Sequence, residues 1–507
     1  MTSIAEDFLP TTDRIEESLL EQAGCSPHQA AVVEGDAVCT YRELAARTQH
    51  VATQLLRRGL EPGDRVAIYL DKTTASVVAL YGAWLAGGVA VPINEGLRSR
   101  QVEHIVRDSG SRLFLSEPRK LTRLDEGAVA GAEVLEVPDG VERAWTPLGQ
   151  PGRHEPAAIL YTSGSTGRPK GILLSHDNLI AGARIVARYL EIRPDERILS
   201  VLPFSFDYGL NQLLTAAATG ATLVLQRSHL PADIFRSLAR HEITALAGVP
   251  PLWLQLLGER SPLSQATAPH LRYITNSGGV FPTELVARCR RVLPATRLYL
   301  MYGLSEAFRS TYLPPEEVER RPGSMGRAIP ETEIYVLDEH GRECAPDEVG
   351  ELVHCGPTVA LGYWRNPEAT AARFREHPFA SRGRTERVVY SGDLVRRDRD
   401  GFLYFVGRRD QLLKCHGFRV SPDEVEETIF ASGLVAEVMV HGVPDPLSGQ
   451  AIVAHVVPRD ASTFTEDELL TYCRRTMPTY MVPRAVRLHA ALPRTASGKL
   501  DRQGVAP

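Results

Sequence analysis

The sequence predicts an α/β protein: a large N-terminal domain of parallel sheets covered by helices, a small antiparallel, barrel-like section, and then a small α+β C-terminal domain. Three observations carry that expectation. Short apolar runs of β-forming residues alternate with helical stretches through about residue 330. Several of these runs are apolar on both faces, as strands buried between helical layers are. Beyond that point the strands are short and joined by turns such as Asp398-Arg399-Asp400-Gly401, the texture of antiparallel pairing.

In chain order, strands are expected at Arg65–Leu70, Val89–Asn94, Ala158–Thr162, Ile198–Leu202, Thr222–Gln226, Arg272–Thr275 and Leu298–Tyr302. Helices are expected at Ala75–Ala86, His176–Leu190 and Pro282–Val292. The longest apolar stretch, Val77 to Ile93, is interrupted by Gly82, Gly87, Gly88 and Pro92, so it reads as a buried helix followed by a strand and not as a membrane span. Glu333–Leu337, Glu351–Cys355, Val388–Arg396 and Phe402–Gly407 follow as short strands. From Gln411 onward a strand and helix mixture of ~95 residues has the size of a small domain. The length of 507 residues agrees with a prior of about three structural units.

Composition narrows the class. Apolar residues make up 43% and charged residues 23%, a globular balance that excludes a disordered or fibrous chain. The net charge of −5 gives no nucleic-acid footprint. Seven cysteines (Cys25, Cys39, Cys289, Cys344, Cys355, Cys415 and Cys473) are scattered without a CxxC pair, so neither a disulfide framework nor a zinc site is expected. Met1 to Pro10 carries Glu6 and Asp7 and no apolar core of a signal peptide. A reduced, cytoplasmic enzyme is the expectation. Only Lys72, Lys120, Lys170, Lys414 and Lys499 are lysines; the other 52 of 57 basic residues are arginine. Where a generic positive charge suffices this chain uses arginine, so the lysines mark places that need a compact ammonium, or are chance survivors.

The most informative motif is Tyr161-Thr-Ser-Gly-Ser-Thr-Gly-Arg-Pro-Lys-Gly171, expected between an apolar strand and a helix. Gly164 and Gly167 permit unusual backbone angles, Thr162, Ser163, Ser165 and Thr166 offer hydroxyls, and Lys170 adds a cation, which together describe a phosphate-binding loop. The GxxxxGK[ST] spacing is absent, so it is not a Walker loop. Tyr302-Gly-Leu-Ser-Glu306, Tyr390-Ser-Gly-Asp393, Gly407-Arg-Arg-Asp410, Lys414-Cys-His-Gly-Phe-Arg419 and Pro493-Arg-Thr-Ala-Ser-Gly-Lys499 follow in order. This set resembles the signature of the adenylate-forming superfamily of acyl-CoA synthetases, luciferases and amino-acid adenylation domains, from about residue 30 to the end. Three of the five lysines fall inside it.

The resemblance implies that a carboxylate attacks the α-phosphorus of ATP to give an acyl-adenylate and pyrophosphate, in a site that neutralises the phosphoryl oxygens. It implies Mg2+ at Glu306, phosphate contacts from Ser305 or Thr162 and from the loop, and ribose hydroxyls bonded to Asp393 with help from Arg408. Gly278, Gly279, Tyr302 and Gly303 are expected around the nucleotide, with Lys414 nearby. Lys499 is expected to reach the substrate carboxylate from a mobile C-terminal lid, residues 410–507, that pivots at Asp410 against an N-terminal domain of residues 1–409.

The acid is read from Phe204-Ser-Phe-Asp-Tyr-Gly-Leu-Asn211. Asp207 stands where amino-acid adenylation domains keep an aspartate for the substrate ammonium, and a carboxylate in an apolar run needs a partner; backbone or an arginine is the alternative. By resemblance the pocket adds Tyr208, Asn211, Gly248, Ile274, Asn276, Met301, Phe308, Arg309 and Ser310. The local pattern is most similar to stand-alone β-amino-acid adenylating enzymes of macrolactam polyketide biosynthesis. Phe308 favours an apolar tail, a 3-amino fatty acid or a β-aryl-β-alanine, while Arg309 leaves an aspartate-like acid open. The acceptor is expected to be the phosphopantetheine thiol of a separate acyl carrier protein, because no carrier segment follows Lys499; the alternative is an acyl-CoA ligase acting on a non-amino acid, with coenzyme A. No nucleic acid or membrane partner is expected.

Overall fold

The computed structural model describes residues 12–125, 127–138, 140–141, 152–162, 169–264, 267–409, 413–415, 418–445, 449–477, 479–495, 500–502 and 504. Among these residues three sheets form, two in a large N-terminal domain and one in a smaller C-terminal domain. No helix among them is long and apolar enough to cross a membrane.

The first sheet runs in the order Gly362–Tyr363, Lys170–Ser175, Pro156–Thr162, Val89–Pro92, Arg65–Tyr69, Leu113–Ser116, Glu133–Glu136. Its central strands are parallel and buried on both faces, as their two-sided apolar composition requires. Helix Thr74–Leu85 covers it and is itself almost wholly buried. A Cβ at Gly82 would meet Val51 Cγ1 at 2.6 Å, so this glycine lets helix Tyr41–Arg57 pack closely against it. Gly87, with a φ of +80°, turns the chain out of the helix and into strand Val89–Pro92.

The second sheet starts as a parallel array of Ala30–Glu34, Thr222–Leu225, Arg197–Ser200, Ala245–Gly248, Tyr273–Asn276 and Arg297–Tyr302. It continues without a break into the antiparallel section. Thr311–Leu313 and Ser324–Ala328 lead to Leu403–Arg408, Arg387–Arg397, Val349–Cys355 and Glu333–Leu337. One hydrophobic core runs between these layers. In the C-terminal domain, helices Pro422–Ala431 and Glu466–Thr476 pack with the sheet of Val435–Asp445, Gly449–Pro458 and Ala485–Leu488 around a separate core that includes Val425, Ile429, Val440, Ala454 and Leu469.

One local expectation needs correction. The loop after Thr162 does not lead directly into a helix. Lys170–Ser175 is an antiparallel strand paired with Pro156–Thr162, Thr162 standing opposite Lys170. The run Gly171-Ile-Leu-Leu is apolar and unbroken enough to add a strand to the sheet before the helix begins. His176–Leu190 then starts at its expected position, capped by the Ser175 hydroxyl accepting from Asn178 N–H at 3.2 Å.

Candidate active site

Several of the residues singled out in the sequence lie at the carboxyl ends of the second sheet's parallel strands, the usual place for a ligand crevice in an open α/β sheet. Gly248 and Asn276 end two neighbouring strands, Ile274 is buried inside the second of these, and Met301 and Tyr302 end a third. Gly278, with a φ of +81°, and Gly279 follow Asn276, whose amide donates to the Gly279 carbonyl at 3.1 Å. Gly303 is close against Arg309, its absent Cβ 3.3 Å from the Arg309 Cα.

Asp393 stands directly across from Arg408 in the antiparallel section. Its carboxylate accepts from the Tyr302 phenol and lies 3.1 Å from Arg408 Nη1. Burial pushes the Asp393 carboxyl up, opposed by the Arg408 charge. Burial and the Asp393 charge hold the Tyr302 phenol well above its usual range, so that proton stays on Tyr302. Asp393 Oδ1, the oxygen facing Arg408, makes no hydrogen bond among the described residues, so a hydroxyl-bearing ligand can donate to it.

Glu306 sits in a second cluster. Its Oε1 accepts from the Tyr363 phenol at 2.6 Å, and its other oxygen has no protein partner among the described residues. Lys170 Nζ lies 5.7 Å from the Tyr363 ring. Thr162, Lys170, Tyr363 and Glu306 therefore gather at the base of the glycine-rich loop. A carboxylate with one oxygen fixed and the other open is a hard oxygen donor that fits Mg2+. Ser305 is half-buried beside it. Ser163, Gly164, Ser165, Thr166, Gly167, Asp410 and Lys499 lie outside the described residues, as does the side chain of Lys414.

The third group surrounds Asp207, the first residue of helix Asp207–Thr219. Its carboxylate accepts from Tyr208 N–H at 2.8 Å and lies 3.7 Å from Arg309 Nη1, both side chains almost fully buried. That separation is an ion pair longer than a hydrogen bond. Arg309 Cζ stands 4.6 Å over the Tyr208 ring, whose hydroxyl bonds Thr275. Among the described residues, Arg309 Nε and Nη2, Asn211 Nδ2 and Trp253 Nε1 are buried donors without hydrogen-bond partners, and Asn276 Oδ1 is a buried acceptor without one. Leaving such groups unmade costs about 1–3 kcal/mol each, so a ligand that brings acceptors for the Arg309 and Asn211 donors is stabilised at this wall.

Two of the expected pocket residues face elsewhere. Phe308 has 0% exposure and packs its ring on Gly182, where any Cβ would come within 2.3 Å of Phe308 Cδ1. A φ of +54° at Phe308, costly for a bulky residue, accompanies this burial while Arg309 stands beside Asp207. Phe308 has no exposed face to offer an apolar tail. Ser310 is engaged on the far side. Its hydroxyl is 3.0 Å from His354 Nδ1, His354 Nε2 is 3.1 Å from the Thr358 hydroxyl, and Thr358 donates to the Arg309 carbonyl at 3.3 Å. Burial pulls His354 down to about 3, so this support is neutral. Sequence reasoning missed both Tyr363 and His354. In Leu361-Gly-Tyr-Trp364 the tyrosine looks like core, and a lone histidine inside a strand carries no signal of its own.

The AMP-binding enzyme family matches residues 19–364, and the AMP-binding enzyme C-terminal domain matches residues 424–499. The chain is 32% identical over 487 residues to a feruloyl-CoA synthase of Amycolatopsis sp, covering 95% of this chain and 96% of that protein. It is 31% identical over 499 residues to a linear gramicidin synthase polypeptide of Brevibacillus parabrevis, covering 97% of this chain but spanning only 6% of that protein. Among solved structures, o-succinylbenzoate coenzyme A synthetase from Bacillus subtilis, in complex with ATP and magnesium ion, superposes with a TM-score of 0.85 at 28% identity, covering 96% of this chain and 98% of that one. The chain belongs to the AMP-binding enzymes, the adenylate-forming ligases.

Proposed function

We propose that this ligase uses ATP and Mg2+ to adenylate a β-amino acid and passes the acyl group to the phosphopantetheine thiol of an acyl carrier protein. The observation that carries the reading is the buried Asp207 carboxylate at the edge of a wall of unmet hydrogen-bonding groups. A substrate ammonium meets Asp207, and the acid's oxygens meet Arg309 and Asn211. One carboxylate oxygen then attacks the α-phosphorus of ATP, the bond to pyrophosphate breaks, and the thiolate later displaces AMP from the acyl carbon. Asp393 and Arg408 hold the ribose, Tyr302, Gly278 and Gly279 border the base, and Thr162 and Lys170 meet the phosphates. Magnesium bound at Glu306 supplies positive charge against the phosphoryl oxygens. Lys499, on a lid that begins at residue 410 and pivots at Asp410, completes the adenylating arrangement. The buried Phe308 withdraws the ground for a strictly apolar tail.

A second reading rests on the same carboxylate. Arg309 at 3.7 Å already gives Asp207 a counter-charge, and the match to feruloyl-CoA synthase covers nearly that whole protein. On that reading Asp207 serves Arg309, the acid has no amino group, and coenzyme A is the acceptor. ATP–pyrophosphate exchange with 3-aminobutanoate against butanoate, and β-phenylalanine against 3-phenylpropanoate, separates the two. A strong preference for the amino partner in each pair is the expected result; equal rates overturn the amino-acid reading.

A further inference from the structure

Two lysines marked out by their rarity, Lys72 and Lys120, have no part in the site above. Lys120 is a paired structural cation, 2.7 Å from Asp71 Oδ1 and bonded to the Glu95 carbonyl. Lys72 is different. It is 4% exposed, and among the described residues no carboxylate pairs with it. Its Nζ donates to the Ser200 carbonyl at 3.2 Å and lies 5.8 Å from the Phe204 ring.

Those two contacts tie the halves of the large domain together. Lys72 follows strand Arg65–Tyr69 of the first sheet, whereas Ser200 ends strand Arg197–Ser200 of the second. Phe204 belongs to the turn that leads from that strand into Asp207. The turn is pressed onto the helix: a Cβ at Gly209 would meet the Pro203 carbonyl oxygen at 2.2 Å, and Leu210 N–H donates to the Phe206 carbonyl at 2.9 Å. A shift of the turn therefore shifts Asp207.

We propose that Lys72 is a positioning residue for the acid-binding wall: by gripping the Ser200 carbonyl and the Phe204 ring from the opposite sheet, it fixes the turn that places Asp207. The proposal rests on the reading of Asp207 as part of that wall. A hydrogen bond from an ammonium is stronger than one from a neutral amine, and attraction to an aromatic face needs the charge. Burial pulls Lys72 down to about 7, with Glu95 pushing back. The other charges around it are His229, held low by burial and by Lys72, and the Asp71 carboxylate shared by Lys120 and Arg227. Protonated Lys72 holds the turn below about pH 7, and the grip weakens as the proton leaves above it. Arginine does not titrate in this range, which gives a reason for a lysine in a chain that otherwise prefers arginine.

The test measures the KM for the acid by ATP–pyrophosphate exchange between about pH 6 and about pH 8.5, using whichever of 3-aminobutanoate, β-phenylalanine and butanoate the wild type turns over. The wild-type KM for the acid is expected to rise through an inflection near pH 7 while the KM for ATP stays level. Lys72→Met should raise the acid KM about tenfold at low pH and abolish the inflection, with kcat little changed. Phe204→Leu should move the inflection to lower pH. An inflection that survives Lys72→Met, or equal changes in the acid KM and the ATP KM, overturns the proposal. If Lys72→Met does not fold, a wild-type acid KM that is flat across the range overturns it alone. Asp207→Asn assayed alongside separates the two claims. A raised acid KM in Asp207→Asn but not in Lys72→Met sinks the positioning role alone; the converse sinks the reading of Asp207 and leaves Lys72 as the anchor of the turn.

Discussion

At the Asp207 carboxylate two cations compete, Arg309 from the protein and an ammonium from the proposed substrate. Removing one partner of a desolvated pair costs roughly 2–5 kcal/mol, so Asp207→Asn is expected to raise the KM for an amino acid by about 30-fold or more and leave ATP binding near normal. Arg309→Met separates the readings further. If an ammonium binds Asp207 while Arg309 meets the acid's oxygens, the variant raises the KM for 3-aminobutanoate, and saturating amino acid restores much of the melting temperature. If Asp207 exists to balance Arg309, the variant leaves a buried carboxylate without its counter-charge, and both stability and activity fall. Exchange kinetics together with thermal melting distinguish these outcomes.

Among the elements, helix Asp207–Thr219 is pressed tightly onto its preceding turn. Gly209→Ala sets a methyl group 2.2 Å from the Pro203 carbonyl, so the turn must move. Overpacking of this kind costs about 1–3 kcal/mol, and here the loss should appear as a lower melting temperature together with a raised KM for the acid. An unchanged acid KM with a lowered melting temperature would show that the turn and Asp207 are not coupled. The left-handed backbone at Phe308 works in the same way at the other wall: it holds the ring against Gly182 in the core while Arg309 stands at the pocket.

Over the whole molecule, buried neutral histidines contribute to a loss of stability in acid. Burial lowers His176 and His455 to about 4 and His354 to about 3. Their folded pKa values lie below the unfolded one, so between about pH 6.5 and about pH 4 the unfolded chain binds more protons. Stability is full above that window and falls as pH drops through it. Glu426, pushed up to about 7 by burial, runs the other way, with Glu16, Glu427 and Asp393 also raised, while His229, His241, His377 and His441 are lowered and add to the histidine side. Melting temperature against pH should show the net loss, and His354→Gln should flatten it if His354 is a main contributor; an unchanged slope removes His354 from the account. The proposed C-terminal lid makes its own prediction at this scale. Lys499→Ala should abolish adenylate formation yet leave thioester formation from supplied acyl-adenylate intact, and equal loss in both would contradict alternation of the lid.

The α/β architecture with its smaller C-terminal domain, the strand and helix succession, and the order of the nucleotide-binding motifs are all legible in the amino-acid sequence. They depend on local signals: two-sided apolar runs for covered strands, glycines at forced turns, and hydroxyl-rich loops at fixed spacing. His176–Leu190 starts where its sequence places it because Ser175 caps it locally. Which neighbours share a site is settled only in the folded chain. Phe308 and Arg309 are adjacent in sequence, yet one enters the core and the other meets Asp207, a choice made by a left-handed backbone and by Gly182 on a distant helix. Tyr363 reaches Glu306, His354 reaches Ser310, and Lys72 reaches Ser200 across separations that no local pattern encodes. Burial then does what composition cannot: it turns an ordinary lysine into a group that titrates near neutrality, because an ammonium away from water and without a paired carboxylate is costly to keep charged.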